Sequence, residues 1–346
     1  MQQEHPATGV QAPASSDLPL VVGVDLGGTQ IRAAVLRGPA LLSRISMPTG
    51  RDTAPGQVLP RMFQIVEQAL TTASITLDQI AGIGIAAPGP LSGCSGIVFA
   101  PPNLAGWHDV PLRALFQEHY QKPVMLEKDT NAAALGEYLF GAGRGCDELV
   151  YVTVSTGVGG GVISGGRLLT GSSGTAGELG HITIDWHGEH CNCGNIGCLE
   201  SIASGTAIAK RANRLVAMGE GEALLQFALA QQQHEQTGDD TEHSPVHITA
   251  RTVAEAARAG IPEARKIIAH AAEGLGVGLV NILHIFNPQV IILGGSLTQI
   301  GAPLLEPAVR IVNERAMRVP REAFRLVLAE LGADAGLVGA GALVYR

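Results

Sequence analysis

The sequence predicts an α/β chain of two domains, with mixed sheets flanked by helices. Three observations carry this. Strand-like and helix-like stretches alternate along the chain. A Gly-rich hairpin occurs near the start, over 21–35, and a second of the same design follows about 130 residues later, over 149–163. At 346 residues the chain is long enough to bury two cores.

Each hairpin reads as strand, glycine turn with a small hydroxyl residue, strand. The first turn is Asp25-Leu26-Gly27-Gly28-Thr29 and the second is Ser155-Thr156-Gly157-Val158-Gly159. Glycine lacks a Cβ and tolerates positive φ, so backbone N–H groups can crowd onto an anion. The turn joins two strands, unlike the P-loop and the dinucleotide fingerprint, which both open a helix. One such turn is commonplace. Two, one per half, suggest a duplicated fold that holds a polyphosphate between its halves.

The elements follow in order. Three strands fall within about 20–48, then an amphipathic helix at about 57–73 and a strand at 80–86. A Pro/Gly-rich stretch covers 88–106. A helix at 111–120, a strand at 123–127 and a helix at 129–140 close the first half. The second half restarts with strands from Leu149, then a Cys-rich loop and a helix after Ser204. A polar stretch over 231–247 reads as an exposed loop. Helices at about 252–259 and 262–286 precede a buried strand at 290–296 that ends in glycines. Pro262 suits a first helical turn.

Composition excludes several classes. Hydrophobic residues make up 46% and charged residues 16%, so the chain is globular rather than disordered. The net charge is -8 and no Lys/Arg stripe occurs, so nucleic acid is not the expected partner. The most apolar run, 277–293, is broken by Asn281, His284, Asn287 and Pro288, which fits a buried core better than a membrane span. The first 19 residues are polar and carry no Lys or Arg, so they read as a flexible tail and not a signal peptide. The expected setting is cytoplasmic.

Three of the five cysteines lie in Cys191-Asn192-Cys193-Gly194-Asn195-Ile196-Gly197-Cys198. Neighbours this close in a glycine loop are better metal ligands than disulfide partners. A tetrahedral Zn²⁺ needs a fourth donor, for which His181, His187 and His190 all stand near. Cys94 and Cys146 read as plain thiols. Asp129, where a strand gives way to a helix, reads either as an N-cap or as a general base in a cleft. Glu178 and Glu200 bracket the cysteine loop and suit hydroxyl recognition. Asn103, in Pro101-Pro102-Asn103-Leu104-Ala105-Gly106-Trp107, offers an amide to a sugar or sits on a rigid surface turn.

Together these residues resemble the ROK (repressor, open reading frame, kinase) family of sugar kinases, within the actin-like ATPase superfamily. The resemblance runs from about Leu20 to the C-terminus. It rests on the two turns, Ala87-Pro88-Gly89-Pro90, Pro102 to Trp107, Asp129-Thr130-Asn131-Ala132-Ala133-Ala134, Gly177-Glu178-Leu179-Gly180-His181, the Cys-x-Cys-Gly-x-x-Gly-Cys-Leu-Glu run and Leu293-Gly294-Gly295.

The resemblance implies a two-domain actin-like (ribonuclease H-like) fold with a central cleft. The smaller domain would take 20–128 plus about 330–346, the larger 129–329, with a C-terminal helix returning to the smaller. ATP would lie in the cleft, with Gly27, Gly28 and Thr29 on one side of its phosphates and Thr156, Gly157 and Gly159 on the other. Gly294 and Gly295 would lie near the adenosine, and Asp25 would help place Mg²⁺. Asp129 would be the base for the C6 hydroxyl of a hexose. Asn103, Glu178, His181 and Glu200 would hold the other hydroxyls, and His181, Cys191, Cys193 and Cys198 a structural zinc. One position departs from the family, which has Asn before the catalytic Asp. Here it is Lys128, expected either to turn away or to alter sugar choice.

The expected activity is ATP-dependent hexose phosphorylation, glucose foremost. N-acetylglucosamine, N-acetylmannosamine, fructose and allose are the alternatives. Some family members are sugar-responsive repressors, but these carry a helix-turn-helix region, and only a short polar tail precedes the first strand here. A homodimer or homotetramer is expected from the resemblance.

Overall fold

The computed structural model describes residues 17–235 and 246–345. Of the expected tail over 1–19 only Asp17, Leu18 and Pro19 fall within them, and residues 236–245 of the expected polar loop lie outside.

The first half runs β1 (Leu20–Leu26), β2 (Gln30–Arg37), β3 (Ala40–Leu41), β4 (Ile45–Pro48), α1 (Pro55–Ala73), β5 (Ile80–Ala87), β6 (Leu91–Ser92), β7 (Ile97–Val98), α2 (Leu112–Tyr120), β8 (Val124–Lys128) and α3 (Asp129–Phe140). β1 is buried along its whole length, as a Val/Leu-rich central strand covered on both faces must be. Its sheet has the order β3-β2-β1-β5-β8, with β4 paired to β2. α1 covers one face with Val58, Met62, Ile65, Val66, Ala69 and Leu70, at helical spacing.

The second half runs β9 (Leu149–Val154), β10 (Val158–Ser164), β11 (Arg167–Leu168), α4 (Glu200–Ala203), α5 (Gly205–Ala217), α6 (Glu222–Glu235), α7 (Ala250–Arg258), α8 (Pro262–Phe286), β12 (Val290–Gly294), α9 (Ala302–Arg315), α10 (Arg318–Ala323), β13 (Arg325–Leu328) and α11 (Ala335–Ala342). Its sheet has the order β11-β10-β9-β12-β13. α8 is long and apolar enough to cross a membrane, yet it packs into the core of this half.

The two sheets share one plan. β1 is antiparallel to β2 and parallel to β5, which is parallel to β8. β9 is likewise antiparallel to β10 and parallel to β12, which is parallel to β13. The helix after each last strand crosses over. α3, after β8, packs on β9 and β10; α11, after β13, packs on β1 and β5; and the two helices pack on each other. Their approach is close. A Cβ at Gly339 would stand 1.9 Å from the Ala132 carbonyl oxygen, so only glycine fits that crossing.

Several expectations are corrected. Four strands, not three, occupy 20–48. Residues 231–235 of the expected loop are the last turn of α6, because glutamine is nearly as good a helix former as lysine and Gln231 donates to Glu255 of α7. α9 was not anticipated; Pro303 stands in its first turn, where a missing N–H costs nothing.

Candidate active site

The parallel strand β8 ends at Lys128 and α3 begins at Asp129. The N-cap position falls on Lys128, with extended backbone and no side-chain cap, so the cap reading of Asp129 does not hold. Asp129 instead accepts the N–H of Thr130 at 2.7 Å and turns its carboxylate to the junction. Loss of hydration drives its carboxyl up to about 6, and the Asp25 and Glu178 carboxylates push the same way. The Thr130 N–H and the Lys128 ammonium oppose them.

Lys128 does not turn away. Its side chain is only 7% exposed, and Nζ donates to Glu178 at 3.0 Å and to the Ala176 carbonyl at 3.3 Å. The exposed Glu178 carboxylate is thereby tied to the end of β8. Glu127 steadies the same junction by accepting from the Lys128 N–H at 2.9 Å and from the Asn131 amide at 3.0 Å.

The first turn joins β1 to β2. Asp25 is 8% exposed and ion-paired with Arg32, its register partner across the hairpin. Burial pushes the Asp25 carboxyl up and Arg32 pulls it back. Gly27, Gly28 and Thr29 form the turn itself. A Cβ at Gly28 would stand 2.9 Å from the Asn103 Cβ, so the turn and the Asn103 loop lie in contact.

The second turn, Ser155-Thr156-Gly157, joins β9 to β10. Thr206 caps the Thr156 carbonyl through its hydroxyl at 2.8 Å. Glu200 accepts the Val158 N–H at 2.9 Å, so one of its oxygens buttresses this turn. Gly294 ends β12, Gly295 follows with φ 91°, and the Ser296 hydroxyl meets that of Ser155 at 2.9 Å. Gly159 lies in β10 against Thr130 of α3, which brings the second turn beside Asp129.

His181, Cys191, Cys193 and Cys198 converge, with one donor atom from each lying within 4.8 Å of the others. His181 Nδ1 is 3.6 Å from Cys191 Sγ, and Cys193 Sγ is 3.7 Å from Cys198 Sγ. Disulfide sulfurs stand about 2 Å apart. A tetrahedral ion with arms of about 2.3 Å puts its sulfurs about 3.8 Å apart, so the donors suit such an ion. His187 and His190, the alternative donors, lie outside the cluster.

Arg32, Glu127 and the Lys128–Glu178 pair were not anticipated from sequence. Arg32 had a signal: counted out from the turn, it is the residue opposite Asp25. The Lys128–Glu178 pairing had none, since it depends on how a loop 50 residues downstream returns.

The comparisons agree with this architecture. The chain matches the ROK family over residues 21–346. It is 34% identical to the glucokinase of Halalkalibacterium halodurans over 327 residues, 94% of each chain. It is 31% identical to the xylose repressor of Caldicellulosiruptor bescii over 333 residues, 95% of this chain and 79% of the repressor. A ROK family glucokinase from Streptomyces griseus, solved with glucose and AMPPNP, superposes with a TM-score of 0.76 at 33% identity, covering 94% of this chain and 98% of that one. The chain belongs to the ROK family and is one of its glucokinase-like sugar kinases, with the actin-like ATPase fold.

Proposed function

We propose that the protein transfers the γ-phosphoryl group of ATP to the C6 hydroxyl of a hexose, with glucose as the preferred acceptor and Asp129 as general base. The observation that carries this is the place of Asp129: a carboxylate raised to about 6, at the end of a parallel strand, beside both glycine turns. A base with this value is ionised at neutral pH yet accepts a proton readily. The sugar hydroxyl it relieves becomes the nucleophile toward phosphorus. The likeness to a glucokinase solved with glucose and AMPPNP supports the choice of sugar and donor.

The other residues position. N–H groups of Gly27, Gly28 and Thr29 on one side, and of Thr156, Gly157 and Gly159 on the other, would cradle the phosphates, with Gly294 and Gly295 beside the adenosine. Asp25 presents the carboxylate that Mg²⁺ at this site would use, and the ion would neutralise charge on the phosphates. Asn103, Glu178, His181 and Glu200 would hold sugar hydroxyls. We assign zinc to His181, Cys191, Cys193 and Cys198. With Nδ1 turned to the cysteines, His181 keeps Nε2 for a sugar hydroxyl. On this reading the smaller domain takes 20–128 with 330–346 and the larger 129–329, and closure excludes water from the phosphates.

The test is ADP release with ATP·Mg²⁺ against glucose, mannose, fructose, allose, N-acetylglucosamine and N-acetylmannosamine, with Asp129→Ala as control. Turnover led by glucose and lost in the variant is expected. Turnover led by another sugar would move the substrate and leave the kinase. No turnover, with a gel shift on genomic DNA, would favour a regulator, the role named for the xylose repressor.

A further inference from the structure

We propose that residues 49–53 form a strap that couples the two substrate sites, with Thr53 as its positioning residue. This rests on the reading of Asn103 as a sugar ligand and of Gly27, Gly28 and Thr29 as the phosphate turn.

The strap is fastened at both ends. Thr49 is fully buried and grips the turn twice: its N–H donates to the Thr29 carbonyl at 2.9 Å and its hydroxyl to the Gly27 carbonyl at 2.6 Å. Arg61 of α1 holds the Thr49 carbonyl in turn. At the other end Thr53 grips the Asn103 loop twice. Its hydroxyl accepts the Ala105 N–H at 2.8 Å, and its carbonyl accepts the indole N–H of Trp107, which is 1% exposed, at 2.7 Å. Between these ends the turn and the loop touch directly, Gly28 against Asn103.

The consequence is geometric. Phosphoryl transfer needs the acceptor oxygen about 3–3.5 Å from phosphorus. One element tied to both the phosphate turn and the sugar loop makes the two settle together as substrates bind. Ordering one end also orders the other, so each substrate should bind more tightly in the presence of its companion, by the same factor. Thr53 is suited to this role and not to chemistry, because its hydroxyl and its carbonyl both accept hydrogen bonds from the loop.

The experiment compares wild type, Thr53→Val, Thr53→Ser and Asn103→Ala. Glucose affinity is measured by calorimetry with and without AMPPNP, and KM and kcat are measured alongside. Loss of one hydrogen bond to the loop should raise the glucose KM of Thr53→Val by about threefold to tenfold, with kcat changed less than about twofold. The ratio of glucose affinities with and without AMPPNP should fall toward 1 in Thr53→Val and be restored in Thr53→Ser. A purely structural role would lower the melting temperature and leave that ratio unchanged, which would overturn the strap. Asn103→Ala keeps the two failures apart. If it weakens glucose binding while Thr53→Val leaves the ratio at the wild-type value, the coupling is wrong and the sugar site stands. If Asn103→Ala binds glucose as wild type does, the sugar-site reading fails and the strap's role with it.

Discussion

At the scale of single residues, the proposed base Asp129 should set the pH behaviour. Below about pH 6 its carboxyl is protonated and accepts no proton, so kcat/KM should fall about tenfold for each further unit of acid. The same shift has a cost in stability. An unfolded Asp titrates near its ordinary value, so folding raises this carboxyl. A group raised on folding contributes most below its unfolded value, and the contribution is lost as pH rises through about 6. Asp129→Asn removes this poorly hydrated charge. It should therefore melt above wild type at about pH 7.5 and no higher than wild type at about pH 4, while kcat drops by about 10²- to 10⁴-fold. Lys128→Asn should act in the opposite sense on the base. Without the ammonium, Asp129 faces only Asp25, Glu178 and the Thr130 N–H, so its carboxyl rises and the acidic limb of the rate profile moves to higher pH. Freed from Nζ, Glu178 should also change the ranking of sugars by kcat/KM. A profile and a ranking both identical to wild type would deny Lys128 either role.

At the scale of elements, the cysteine loop that we assign to zinc and the second turn are joined as one mechanical unit. Cys198, Leu199 and Glu200 are consecutive, and Glu200 holds the N–H of Val158 in the turn. Cys198→Ser should reduce metal content from about one zinc per chain and lower kcat/KM by roughly 10- to 100-fold, raising KM for ATP as well as for sugar. Metal analysis with two-substrate kinetics checks this; a KM change confined to the sugar would disconnect loop from turn. Elements also show what was legible in the sequence. β1, β9 and their turns were, because a buried strand and a glycine turn are local patterns. The cysteine cluster was, because three cysteines fall within eight residues. The end of α6 was not, because Gln231 is paired by Glu255 of α7 rather than by anything adjacent in the chain. The strap over 49–53 was not legible either: its partners lie about 20 residues before it and 52 after it.

At the scale of the whole molecule, the exchange of α3 and α11 makes the two halves one cooperative body. Each helix follows the last strand of one sheet and lies on the other, and a shared core of Leu18, Val21, Leu36, Leu135, Leu337 and Val338 fills the space between. Each half thus depends on a helix that the chain supplies from the other. The crossing itself tolerates no side chain at position 339, since a Cβ would strike backbone. Gly339→Ala should cost about 1–3 kcal/mol, the usual toll of overpacking, with an unchanged denaturant slope and a single transition. The displaced partner is Ala132, three residues after Asp129 in the same helix, so the strain should reach the base. The variant should therefore lose kcat at temperatures well below its melting point, with KM for ATP and sugar nearly unchanged. Urea unfolding followed by tryptophan fluorescence and by circular dichroism tests the cooperativity. Two separated transitions would mean that the halves stand independently and that the exchange only decorates the interface.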